Sequence, residues 1–186
     1  MSTKNDSPNL IWVDCEMTGL DLNKDVLVEI AVLVTDSELN ILGEGIDLVI
    51  KASADQIKGM NEFVTNMHTE SGLIAEIPSG VETSKAEEAI IAYLEKYAPG
   101  AGKSPLAGNS VGTDRAFIAR DMPLLNAYLH YRTIDVSSIK ELARRWYPRV
   151  YFAAPKKTGN HRALGDIRDS IEELEYYRKA IFIPNN

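Results

Sequence analysis

Residues 10–20 read LIWVDCEMTGL. Four apolar residues, Leu10 to Val13, run straight into Asp14, and Glu16 follows two places later. A run of that kind is a buried strand, and buried strands do not ordinarily end in two acids. In a strand, side chains at i and i+2 share one face, with Cα atoms about 6–7 Å apart. Two carboxylates so placed repel each other unless a cation lies between them. A divalent metal would hold both in the ionised form. A strand end passing into a polar turn, here Thr18-Gly19, is the plainer alternative. Cys15 alternates to the opposite face and is expected in the core.

Working outward, residues 25–36, DVLVEIAVLVTD, predict a central strand. Residues 39–51, LNILGEGIDLVIK, predict a third strand, with residues 37–40 as the hairpin turn. Residues 53–72 are expected to be helical in pieces. Residues 84–98 predict a helix with a Ser84/Glu87 capping box and a stripe of Ala86, Ala89, Ile90, Tyr93, Leu94 and Tyr97. A short buried strand at 105–108 follows, then helices at 113–120 and about 124–130. A strand at 133–136 leads into a helix boxed by Ser138 and Glu141 and ended by Pro148. Residues 150–160 read as a loop. Residues 162–181 read as a long helix with Leu164, Ile167, Ile171, Leu174 and Ile181 inward. Three strands in meander followed by alternating helices and strands make an α/β fold: a mixed sheet with an antiparallel portion and flanking helices.

The chain has 186 residues, 45% hydrophobic and 25% charged, which suits one domain with a sizeable core. Residues 1–9, MSTKNDSPN, are expected to form a flexible tail and show no apolar targeting core. No stretch approaches the roughly 20 apolar residues of a membrane span. One cysteine forms no internal disulfide and fits a reducing, cytoplasmic setting. A net charge of −7 argues against a broad, non-specific grip on long nucleic acid, which depends on many Lys and Arg contacts to phosphate. A short anionic substrate held by metal ions and a few local donors is compatible with it.

Three further acids or bases draw attention. Asp114, in GNSVGTDRAFIARD, opens a helix, where an acid is favoured by the dipole without any ligand. His161 and Asp166, in HRALGD, lie about 140° apart on a helix and do not share its face. They converge only if His161 precedes the helix or sits in its first turn. Asp166, Asp169 and Glu173 do share a face, which a solvated stripe would also explain. His68 and His130 read as structural, Arg144, Arg145, Lys156 and Lys157 as solvated charges, and Trp12 and Trp146 as core or partly buried.

Each signal is weak alone, but their order is specific. VDCEMTGLD, GNSVGTDRAFI, HYRTIDVSSIKELARRWYP and HRALGDIRDSIEELEYYR together resemble the DEDDh 3′-to-5′ exonucleases of the ribonuclease H-like fold, and within them the branch that degrades very short RNA. The resemblance covers nearly the whole chain. It implies that Asp14, Glu16, Asp114 and Asp166 hold two divalent ions, Mg²⁺ or Mn²⁺, and that His161 is the general base for the attacking water. It implies that Leu20 and an aromatic residue, here Phe63 where many members have Trp, wedge the bases. Ser110, Arg132 and Ser137 match positions that cap a terminal 5′ phosphate. Tyr131 matches a tyrosine supplied to the site from the other subunit of a homodimer. A DNA-directed proofreading exonuclease and a non-catalytic nucleic-acid-binding module are the rival functions. A missing acid or a missing His161 would favour the latter, and none is missing.

Overall fold

A computed structural model describes residues 7–156 and 162–183. Among these, five strands form one mixed sheet: β1 (Leu10–Met17), β2 (Leu27–Thr35), β3 (Ile41–Val49), β4 (Pro105–Gly108) and β5 (His130–Asp135). Their spatial order is β3-β2-β1-β4-β5. The first three strands pair antiparallel, whereas β4 runs parallel to both β1 and β5. The helices are α1 (Ala54–Lys58), α2 (Glu62–Glu70), α3 (Leu73–Glu76), α4 (Thr83–Tyr97), α5 (Gly112–Asp121), α6 (Pro123–Tyr128), α7 (Val136–Trp146), α8 (Pro148–Phe152) and α9 (Ala163–Ile181). None is long and apolar enough to cross a membrane.

The apolar strands lie where their sequences require. All nine residues of β2 are buried, in keeping with its Val/Ile/Leu-rich sequence, while β3 at the edge is half-exposed. On β1 the alternation separates two cores. Ile11, Val13 and Cys15 pack with Ile90 and Leu94 of α4 and with Phe117 and Ile118 of α5. Leu10 and Trp12 face the other way, toward Ala143 of α7 and Ile167, Ile171 and Tyr177 of α9. Trp12 is fully buried and donates its indole N–H to Thr35 Oγ1 at 2.9 Å.

Both expected capping boxes are replaced. α4 starts at Thr83 after Glu82, without a side-chain cap. Its Glu87 is buried and instead accepts from the backbone N–H groups of Leu124 (2.7 Å) and Leu125 (3.0 Å), so a carboxylate on one helix caps α6. α7 starts at Val136, capped by the Asp135 side chain on Ser137 N, and Glu141 pairs with Arg144 and Arg145. Tertiary contacts override the local pattern in both places. The strand expected at 133–136 begins earlier because His130 N donates to Ser104 O at 2.9 Å, which places His130, Tyr131 and Arg132 on β5. Residues 148–152 form α8, where a loop was expected from 150. Trp146, expected to be at least partly buried, is 66% exposed. Of the expected tail, residues 1–6 lie outside the described residues, and Asn9 is tied down by donating to Tyr97 O at 2.7 Å.

The Glu87 cap yields a prediction. Glu87→Ala leaves the N–H groups of Leu124 and Leu125 at the start of α6 without their acceptor, the Leu125 one buried, and should destabilise the fold by about 2 kcal/mol. Glu87→Gln keeps an acceptor oxygen and should lose about half as much. Urea unfolding of the three proteins checks this, and equal stabilities would remove the cap.

Candidate active site

The site lies where β4 stops pairing with β1. The two strands are matched at Ile11 with Leu106 and Trp12 with Ala107, after which the chain turns away at Gly108. A Cβ at Gly108 would stand 2.8 Å from Val13 O, so only glycine permits this approach. Beyond it, Asp14, Cys15 and Glu16 extend past the parallel pairing at the carboxyl end of β1. Open α/β sheets place their ligand sites at such a crevice.

Two helices deliver acids to this end from opposite faces. α9 packs Ile167 and Ile171 under Trp12 and presents Asp166. Carboxylate oxygens of Asp14, Glu16 and Asp166 lie within 4.8 Å of one another. Asp114 comes from α5 on the Cys15 side. It is buried and accepts from the Cys15 backbone N–H at 2.9 Å. The four expected acids therefore divide into a cluster of three, with Asp114 attached to the main chain between two of them.

Charge makes this arrangement costly without a cation. Burial, followed by the neighbouring carboxylates of Glu29, Asp166 and Asp114, pushes Glu16 up to about 8, and the Arg162 guanidinium opposes them. Burial pushes Asp114 up to about 6. Burial also raises the Cys15 thiol well above its ordinary value, which suits a core residue and not a nucleophile. Three converging carboxylates and a nearby fourth, all oxygen donors, fit a hard divalent cation.

The surroundings contain residues that the sequence alone did not assign to the site. Glu29 is fully buried on β2, directly opposite Glu16 in the strand register. It accepts from Arg162 Nε at 2.7 Å and from the Ala163 backbone N–H at 3.1 Å. Arg162 also reaches Glu76 at 2.9 Å, so two acids fix the start of α9. A lone Glu inside LVEIAVLV was the available signal. His68, expected to be structural, is buried with Nε2 2.9 Å from Met17 O and Nδ1 4.0 Å from Glu16 Oε2. That makes it a neighbour of the acids as well as a core residue. Glu173, which could have belonged to a solvated stripe, is 3% exposed and pairs with Lys140 at 3.0 Å.

The remaining expected residues fall as follows. Leu20 and Phe63 are 74% and 75% exposed, large apolar side chains left uncovered. Ser110 and Ser137 have their hydroxyl oxygens 3.0 Å apart. Arg132 is exposed on β5 with its guanidinium 5.3 Å from the Tyr131 ring centre, a cation–π pair. His161 lies outside the described residues.

Residues 11–174 match the Exonuclease family. The chain is 60% identical over 175 residues to a protein named oligoribonuclease from Streptomyces coelicolor, covering 94% of this chain and 88% of that one. It is 57% identical over 176 residues to a protein of the same name from Cutibacterium acnes (95% and 87% covered) and 61% identical over 176 residues to one from Rhodococcus jostii (94% and 88%). In architecture it resembles the zinc-bound complex of Escherichia coli exonuclease I with single-stranded DNA. There the TM-score is 0.72 at 14% identity, across 95% of this chain and 41% of that longer one.

The acid cluster predicts a pH-dependent stability. Glu16 and Asp114 bind protons more tightly folded than unfolded. Their contribution is therefore present below about pH 4 and is lost as pH rises through about 6 for Asp114 and about 8 for Glu16. In EDTA, Tm should fall across this window. Mg²⁺, which competes with those protons, should raise Tm more at pH 8 than at pH 6. A Mg²⁺-induced rise that is the same at both values would exclude the cluster as the cation's seat.

Proposed function

The chain belongs to the oligoribonuclease family of exonucleases, and we infer from this that it is a 3′-to-5′ exoribonuclease that hydrolyses short oligoribonucleotides, down to dinucleotides, to mononucleotides. The observation that carries this is the convergence of Asp14, Glu16 and Asp166 at the end of β1, inside the matched span. The whole chain acts as one exonuclease domain, in the cytoplasm, as a homodimer.

Two divalent ions, Mg²⁺ or Mn²⁺, would supply charge neutralisation and Lewis-acid assistance to an in-line displacement at phosphorus. Asp14, Glu16, Asp114 and Asp166 would hold them. His161 takes the proton from the attacking water as the general base. The bond from water oxygen to phosphorus forms as the bond from phosphorus to the 3′ oxygen breaks, and the released 3′ oxygen takes a proton from solvent. Leu20 and Phe63 stack against the bases, and a π-face is common to all four, so base preference is weak. Ser110, Arg132 and Ser137 receive the 5′ phosphate, and Tyr131 reaches the site of the partner subunit.

Cleavage of a ribodinucleotide, a longer RNA and a short DNA, each with Mg²⁺, Mn²⁺ or EDTA, tests this function. RNA dinucleotides should be cleaved to mononucleotides only with metal. Asp14→Asn or Asp166→Asn should abolish most turnover in a folded protein, and His161→Ala should lose at least about 10²-fold. Near-wild-type rates in a folded, metal-saturated Asp14→Asn would refute the metal assignment, and preference for DNA would refute the substrate class.

Length selection is tested at Arg132. A hydrogen bond to a charged group contributes roughly 1.5–3 kcal/mol, about 10- to 150-fold. Arg132→Ala should reduce affinity for a 5′-phosphorylated dinucleotide by about that factor and matter much less when the phosphate is missing. Equal losses on both substrates would make Arg132 structural.

A further inference from the structure

The Ser110–Ser137 pair is the outer end of a hydrogen-bonded chain that runs to α9 in one direction. Ser137 Oγ donates to Asn109 Oδ1 at 3.0 Å. Asn109 Nδ2 donates to Ser170 Oγ at 2.8 Å and to Glu173 Oε2 at 3.1 Å. Ser170 Oγ donates to the Asp166 carbonyl at 2.8 Å, and Lys140 Nζ stands 3.0 Å from Glu173 Oε1. Ser170 and Glu173 are each 3% exposed, so water does not compete for these positions.

Each proton then has one place. A carboxylate accepts, so the NH₂ of Asn109 faces Glu173. Ser170 has given its single hydroxyl proton to Asp166 O and can only accept from Asn109. The amide is therefore fixed with Oδ1 toward Ser137, and Ser137 gives it its own single proton. Ser137 has only lone pairs left for Ser110. Ser110 becomes the donor of that pair, and its proton can swing to an incoming oxygen without breaking any other bond. The backbone cannot take that part, because Asp135 Oδ1 already accepts from Ser110 N at 3.0 Å and Ser137 N at 2.9 Å. Those two bonds also hold Ser110 in the left-handed region, at φ 54°, where a non-glycine residue needs support.

We propose that Asn109, oriented by the buried Glu173, is a positioning residue that polarises the Ser137–Ser110 pair so that Ser110 presents its hydroxyl proton to the 5′ phosphate. This rests on the reading above that Ser110 meets that phosphate, and the test separates the two.

The experiment measures kcat and KM of the full chain with Mg²⁺ on an adenylyl ribodinucleotide with and without its 5′ phosphate. The proteins are wild type, Ser110→Ala, Asn109→Ala, Glu173→Gln and the Ser110→Ala/Asn109→Ala double variant. Ser110→Ala and Asn109→Ala should each lower the phosphorylated-to-unphosphorylated ratio of kcat/KM about tenfold, the worth of one hydrogen bond to a charged group. The loss should appear mainly as raised KM on the phosphorylated substrate. The double variant should lose no more than the singles, because the two residues act in one chain. Glu173→Gln offers an amide where a carboxylate stood, lets Asn109 turn over, and should lower the ratio in the same direction. It carries the test if Asn109→Ala does not fold. A wild-type ratio in Asn109→Ala and Glu173→Gln, with Ser110→Ala collapsed, overturns the positioning role. A wild-type ratio in Ser110→Ala overturns the phosphate reading, and the proposal falls with it.

Discussion

Carboxylates crowded at the end of a buried strand repel one another, and most of this architecture answers that repulsion. β1 is the central strand, its apolar residues committed on both faces, so Asp14 and Glu16 cannot move apart by shifting the backbone. Adding Asp166 from α9, Glu29 from β2 and Asp114 from α5 makes the conflict worse. One nearby cation, Arg162, opposes it and is already held between Glu29 and Glu76. Removing one partner of such a buried pair leaves a charge uncompensated, which costs more than the pair itself contributes. The fold thus carries a concentrated negative charge that a divalent cation relieves. The packing that aims Asp166 at Asp14 is the same packing that buries Ile167 and Ile171.

That concentration also bears on how an acidic protein handles an anionic substrate. With a net charge of −7 and no cation loaded, the end of β1 repels phosphate. On the proposed reading, attraction comes from bound cations at one end of the substrate and from a few donors at the other. Such a scheme has two fixed points and no continuous basic track between or beyond them. It favours a ligand whose two ends reach both points, and extra nucleotides gain little from it.

Much of this was legible in the residues. The meander, the short strand at 105–108 and the long last helix follow from the placement of Val/Ile runs, Gly and Pro. The stripe on α4 is buried or half-buried at every named position. Local spacing misplaces the helix starts: Ser84 and Glu87 have capping-box spacing, yet Glu87 is recruited by α6, 37 residues away. Ser138 and Glu141 failed similarly, once Asp135 had taken the cap. In the site, the i, i+2 spacing gave the Asp14–Glu16 pair directly, whereas Asp166 joins them only through tertiary packing. Glu29 shows only as a lone acid inside an apolar run and Asn109 not at all, while the face Glu173 shares with Asp166 and Asp169 suits a solvated stripe as well as a buried one, because tertiary packing decides which polar residues are buried and partnered.

Asp135 shows how positioning and binding conflict in one place. Its single oxygen Oδ1 caps α7 through Ser137 N and fixes the Ser110 turn through Ser110 N, so one carboxylate sets both hydroxyls. The same carboxylate brings negative charge beside the proposed seat of a phosphate, and two neutral hydroxyls do not offset it. A permanent cation is needed there, and its form matters. A lysine would keep a strongly hydrated point charge on a flexible stem, with rotamer entropy still to lose on binding. The Arg132 guanidinium instead lies against the Tyr131 ring, and that ring in turn packs 4.3 Å from the His130 ring. Stacking restrains the guanidinium plane before any ligand arrives, so in the proposed role less freedom would be lost on meeting phosphate oxygens. Tyr131 therefore serves its own chain by restraining Arg132, independently of any reach toward a partner subunit.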